Sequence, residues 1–156
     1  KLFEFLLLES AQAGLSWITV LRKRESYRRA FADFDPKKVA RFNSRSVVRL
    51  MGDAGIVRNR LKVFGTVANA KAFIKVRAEF GTFSKYFWGF TGGKTIRNHF
   101  KTMKDVPPVT ELATAISKDL KKRGFTFVGP TIIYAYMQAV GMVNDHLTTC
   151  FRYNQS

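Results

Sequence analysis

The chain is short of cysteine, of acidic side chains and of long apolar runs, and each shortage excludes something. Cys150 is the single cysteine in 156 residues, so no internal disulfide can form, which agrees with a reducing compartment. The longest apolar run, residues 5–8 with their near neighbours, falls far below the roughly 20 residues that span a bilayer. No basic, then apolar, then small-residue pattern marks a secretory signal. An intracellular location is expected, cytoplasmic in a bacterium or nuclear in a eukaryote. Acidic residues number 11 against 27 Lys and Arg, a formal charge of +16. A chain so unbalanced binds polyanions at low salt, and nucleic acid is the leading partner. No membrane partner is expected, because neither a basic amphipathic helix of low hydrophobicity nor a lipidation signal is evident. A well-solvated basic surface without a specific partner is the plain alternative.

What is present suffices for a core. A 46% apolar content over this length suits one domain, and residues 1–156 are read as a single helical unit acting as a monomer. No internal repeat appears, and apolar residues recur mostly at helical spacing, which predicts an all-α fold. Helices are expected over 2–13, 17–31, 57–76, 110–123 and 132–140, with one more after Asn43-Ser44 to Met51. Asp35-Pro36 opens a short helix to Ala40, since Asp can cap and Pro suits the first helical position. Phe83, Tyr86, Phe87, Trp88 and Phe90 crowd one segment, a cluster more typical of core than of a base-stacking platform. Residues 91–108, with paired glycines and paired prolines, predict a long, basic, irregular connection and the stretch most prone to disorder. The sequence starts at Lys1 without Met, in what reads as mid-helix, so further residues are expected in front.

Three features carry candidate chemistry. Glu9 lies on the otherwise apolar face formed by Leu2, Phe5 and Leu6. It is either an ordinary exposed acid or a buried one, and a buried one is paired, neutralised or held for a ligand. The run from Arg123-Gly124 to Gly129-Pro130 reads as a tight helix-hairpin-helix: Gly124 fits a left-handed helix end, and Gly129 and Pro130 fit the cap and first position of the next helix. Free backbone N–H groups at its tip, with Lys118, Lys121, Lys122 and Arg123 before it, suit a DNA phosphate without reading sequence. Many αα-hairpins carry such glycines with no ligand. His146 and Cys150, four apart, would share a helix face within reach of zinc, although two ligands do not make a site. His99 has no neighbour that suggests catalysis.

Four blocks then combine. Glu9-Ser10-Ala11-Gln12-Ala13-Gly14-Leu15-Ser16-Trp17, Asp53-Ala54-Gly55-Ile56-Val57-Arg58-Asn59-Arg60, Lys122-Arg123-Gly124-Phe125-Thr126-Phe127-Val128-Gly129 and Gln138-Ala139-Val140-Gly141-Met142-Val143-Asn144-Asp145-His146 together resemble the DNA-3-methyladenine glycosylase I family. They follow its order over nearly the whole chain. The resemblance implies a helix-hairpin-helix DNA glycosylase that excises 3-methyladenine from alkylated double-stranded DNA in base-excision repair. It implies that Glu9 hydrogen-bonds the lesion base and that Trp17 stacks on it. Gly14 and Leu15, with Gln12 close by, fall where the family fills the gap left by an extruded nucleotide. Gly124, Phe125, Thr126 and Gly129 fall on its DNA-binding hairpin. His146 and Cys150 match two of four ligands of a structural zinc. The other two, with a Trp and a Tyr of the base pocket, belong to a segment before Lys1.

The residues can support that chemistry. Extruding a base costs a few kcal/mol, less for a damaged one. Methylation at N3 makes adenine cationic in the nucleotide, so a buried carboxylate and a Trp face favour the lesion and the base leaves readily. Glu9 is therefore expected to recognise and stabilise, not to activate water. Asp145, the one acid after the hairpin, is a secondary candidate for contact with the scissile sugar. No lysine nucleophile is evident, so a monofunctional hydrolase is expected. A non-catalytic DNA-binding module and a bifunctional glycosylase that also cuts the backbone are the alternatives.

Overall fold

The computed structural model describes residues 1–155. Among them the helices run α1 (Leu2–Gln12), α2 (Trp17–Arg22), α3 (Arg24–Ala30), α4 (Pro36–Val39), α5 (Ser44–Met51), α6 (Arg60–Phe80), α7 (Phe83–Gly89), α8 (Glu111–Lys122) and α9 (Pro130–Ala139). Short 3-10 turns lie at Ala32–Phe34 and Met103–Asp105. The all-α expectation holds, with none of these helices long and apolar enough to cross a membrane.

Helix α1 is apolar on nearly every side, and such a helix must sit inside its neighbours. It does: Phe3, Leu6, Leu7, Leu8 and Ala11 are buried, and α2, α6 and α9 pack around it. Glu4, Glu9 and Ser10 are carried inside with it. The 21 residues of α6 make the longest element, roughly 30 Å. It touches α1, α4, α5 and α7. Phe83, Tyr86 and Phe87 of α7 are buried, as the aromatic crowding predicts, and Phe83 stacks on Phe73 of α6 with ring centres 4.3 Å apart.

Local signals set several boundaries. The Asp35 carboxylate accepts from the N–H groups of Lys37 and Lys38, and Pro36 opens α4. Asn43 and Ser46 form a reciprocal capping box at α5.

Three expectations need correction. The helix expected over 57–76 runs Arg60–Phe80, capped by the Asn59 side chain. The single helix over 17–31 breaks at Lys23, whose φ of -93° and ψ of 0° end α2 and start α3. The turn lets the Lys23 ammonium reach the Ala54 carbonyl at 2.9 Å and points Arg24 at Glu4. The connection over 91–108 is also more ordered than its composition suggests. Within it β1 (Ile96–Arg97) pairs in parallel with β2 (Val143–Asn144), and the Thr102 N–H donates to Asp105 at 2.8 Å. The pairing draws the connection onto the segment that carries Asp145 and His146.

Candidate active site and DNA interface

Two acids of α1 are buried, and they are treated oppositely. Glu4 Oε1 takes Arg24 Nη2 at 2.7 Å, Arg24 Nε at 2.8 Å and Arg28 Nη2 at 3.3 Å. Five residues on, Glu9 is 3% exposed and its Oε2 has no partner among the described residues. Burial pushes its carboxyl up to about 7. An unpaired buried carboxylate costs free energy that a cationic ligand could recover.

Helix α1 runs from Glu9 straight into an exposed loop. Gly14 takes φ +78°, a left-handed conformation that glycine adopts freely, and Leu15 N–H returns to the Gln12 carbonyl at 2.6 Å. Leu15 projects with 39% of its surface open. Trp17 opens α2, half-buried against the core. From α6, the Lys62 ammonium donates to the carbonyls of Ala11 at 2.9 Å and Ala13 at 2.5 Å. Gln12, Gly14 and Leu15 line a cleft of about 410 Å³ together with Thr131, Ile132 and Ala135 of α9. The loop and the helix leaving the hairpin thus share one concavity.

The hairpin has the expected backbone. Gly124 is left-handed at φ +92°, Gly129 caps α9 and Pro130 is its first residue. Its donors are less free than the sequence suggests. Gly124 N–H goes to the Lys121 carbonyl at 3.0 Å, Phe125 N–H to Leu120 at 3.1 Å and Thr126 N–H to the Asn69 side chain at 2.7 Å. Phe125 is core, 3% exposed. Open donors remain at the head of α9, where Thr131 and Ile132 precede the first intrahelical bond, Ile133 N–H to Gly129. Phe127 holds φ +54°, and its ring lies where a Cβ on Gly65 would sit, 2.7 Å away. Of the four cations before the hairpin, Arg123 is turned inward. Its Nε meets Asp119 at 2.7 Å, its Nη1 meets Glu79 at 2.8 Å, and its guanidinium covers the rings of Phe80 and Tyr86. Lys118, Lys121 and Lys122 stay available, all three exposed along α8.

Beyond α9 none of the described residues is helical, so the helix-face argument for His146 and Cys150 fails. A turn brings them together all the same, with Cys150 Sγ 3.8 Å from His146 Nδ1. No group of three or more His, Cys, Asp or Glu side chains converges among the described residues. Asp145 accepts three hydrogen bonds: Asn98 Nδ2 donates to Oδ1 at 2.7 Å, Gln138 Nε2 to Oδ2 at 2.8 Å, and the Tyr134 hydroxyl also to Oδ2. His99 pairs with the Tyr153 hydroxyl.

A family model for methyladenine glycosylase matches residues 1–153. The chain belongs to the methyladenine glycosylase family. It is 49% identical to a DNA-3-methyladenine glycosylase of Haemophilus influenzae over 96% of this chain and 81% of that protein. The structure of 3-methyladenine DNA glycosylase I from Staphylococcus aureus superposes with a TM-score of 0.96 at 39% identity, covering 99% of this chain and 82% of that one. A variant of 3-methyladenine DNA glycosylase I crystallised with 3-methyladenine gives 0.94 at 40% identity, over 96% and 81%. In this methyladenine glycosylase, sequence reasoning missed Glu4 with its arginines, Lys62, Gly65 and Asn69. Only a weak signal marked the last two, a glycine and an amide on buried positions of a long helix.

Proposed function

We propose that the chain binds alkylated duplex DNA, extrudes a 3-methyladenine nucleotide past the loop of Gln12, Gly14 and Leu15, and hydrolyses its N-glycosidic bond. The buried, unpaired carboxylate of Glu9, raised to about 7, carries the reading. A cationic base offers that carboxylate the partner it lacks, and Trp17 offers the base an aromatic face. Neutral adenine gains neither charge term. Since the methylated base already leaves as a stable neutral molecule, Glu9 recognises the lesion and stabilises developing charge while water completes the hydrolysis.

Leu15, exposed on its loop, fills the gap in the stack, and the head of α9 with Lys121 and Lys122 grips phosphate. Gly124, Phe125, Thr126 and Gly129 shape that grip. Their backbone turns aim α9, and Phe125 anchors the hairpin in the core. Asp145, with three donors on its two oxygens, suits an anchor for the C-terminal segment better than a contact with the sugar.

Methylated duplex incubated with the protein should release free 3-methyladenine, resolved by chromatography. Release of no base would overturn the enzyme reading in favour of a DNA-binding module. Borohydride should trap no covalent adduct; a trapped adduct would make the enzyme bifunctional. The chain is read as one domain acting as a monomer inside the cell, and sedimentation of the protein with and without DNA tests the stoichiometry.

His146 and Cys150 are read as two donors of a structural zinc. Their 3.8 Å separation is near the roughly 3.6 Å subtended by tetrahedral nitrogen and sulfur ligands. Zinc there would supply a cross-link to the two donors that the resemblance places before Lys1. In the protein carrying that segment, Cys150→Ser should lower the zinc retained on dialysis, read by metal analysis.

A further inference from the structure

We infer that Lys62 is a positioning residue for nucleotide extrusion: its ammonium locks the end of α1 so that Gly14 and Leu15 stand rigid against the DNA stack. The inference rests on the glycosylase reading above and extends it to a residue outside the family blocks that carry the resemblance.

The last carbonyls of a helix lack intrahelical partners and carry partial negative charge. Helix α1 has no basic residue in its own last turn to meet them. Lys62, 51 residues from Ala11 and 49 from Ala13, meets two of these oxygens. It lies third in α6, where a cation is disfavoured by the helix dipole, and no carboxylate lies within ion-pairing distance of it among the described residues. Its ammonium is thus committed to the α1 terminus against the local field.

The lysine is itself held. Its N–H donates to the Asn59 cap at 3.1 Å, and its carbonyl accepts from the Thr66 hydroxyl at 2.9 Å. The same helix bears on the hairpin through Gly65 and Asn69. Lys62 and Asn69 are seven residues apart, about 10 Å along the axis. α6 therefore fixes the distance between the loop that fills the DNA stack and the hairpin that grips its backbone. A loop that yields when pressed against stacked bases cannot hold them apart, and small misplacements of a positioning element cost rate steeply.

The test compares Lys62→Met and Lys62→Arg with the unaltered protein on a methylated strand, used either single or annealed to its complement. Single strand needs no unpairing, so the lock matters little there. Lys62→Met should slow release of 3-methyladenine from duplex about tenfold or more and from single strand less than about threefold, and Lys62→Arg should restore most of the duplex rate. Fluorescence of a 2-aminopurine beside the lesion gives the same comparison without turnover: it should stay quenched in duplex saturated with Lys62→Met. Equal losses on both strands, an unchanged duplex rate or full 2-aminopurine brightness would overturn the inference. Failure of the unaltered protein to release base from either strand would instead overturn the glycosylase reading. Circular dichroism and Tm of each variant separate a lost lock from a lost fold.

Discussion

The Asn69 amide grips the Thr126 peptide from both sides: Thr126 N–H donates to Oδ1 at 2.7 Å, and Nδ2 donates to the Thr126 carbonyl at 2.9 Å. A side chain from α6 thereby completes the hairpin as a neighbouring strand would. Asn69→Ala is expected to cost about 2 kcal/mol of stability, because two peptide groups lose their partners beside a cavity. Urea unfolding measures that cost, and DNA affinity should fall with it as the hairpin loosens.

Glu9 is expected to govern the pH dependence of excision. Its carboxyl titrates near 7, and recognition of a cationic base requires the ionised form. The kcat/KM for methylated duplex should therefore fall as pH drops below about 7. Glu9→Gln should lower the rate by about 100-fold or more and abolish that limb of the profile, while DNA affinity in a gel-shift assay stays nearly unchanged. Equal loss of rate and affinity would remove Glu9 from the base pocket.

The same carboxyl should work against stability. Its folded value lies above the ordinary 4.5, so between about 4.5 and 7 the folded protein binds the proton that the unfolded chain has released. Stability contributed by this group is present below that window and lost as pH rises through it. Glu9→Gln is expected to raise Tm at pH 8 relative to the unaltered protein, with a gain of at most about 3 kcal/mol, and to change little at pH 4. Thermal melts at the two pH values measure the difference.

Salt titrations should separate the cations of the hairpin. Lys121→Ala and Lys122→Ala are each expected to reduce the slope of log affinity against log salt by about 1, as lost phosphate contacts do. Arg123 is already paired with Asp119 and Glu79, so Arg123→Ala should leave that slope alone and lower Tm instead. An Arg123 variant with a reduced slope would place that guanidinium on DNA.

Features decided within a few residues of chain were legible in the sequence. The apolar girth of α1, the Asp35 and Asn43 caps, Gly124 at the end of α8 and Gly129-Pro130 at the head of α9 depend on backbone propensities and bonds across two to four positions. The sequence therefore determined the all-α class, most helix boundaries and the order of the blocks that carry the family resemblance. Tertiary structure alone decided which groups were free to act. Glu4 and Glu9 have the same side chain on one buried helix, yet only Glu4 meets arginines, 20 and 24 residues along the chain. Thr126 loses its N–H to an amide 57 residues away, and His146 meets Cys150 through a turn and not the expected helix. Partners as distant as those of Glu4 and Thr126 leave no spacing for a sequence to display, because packing brings them together only after the local elements have formed.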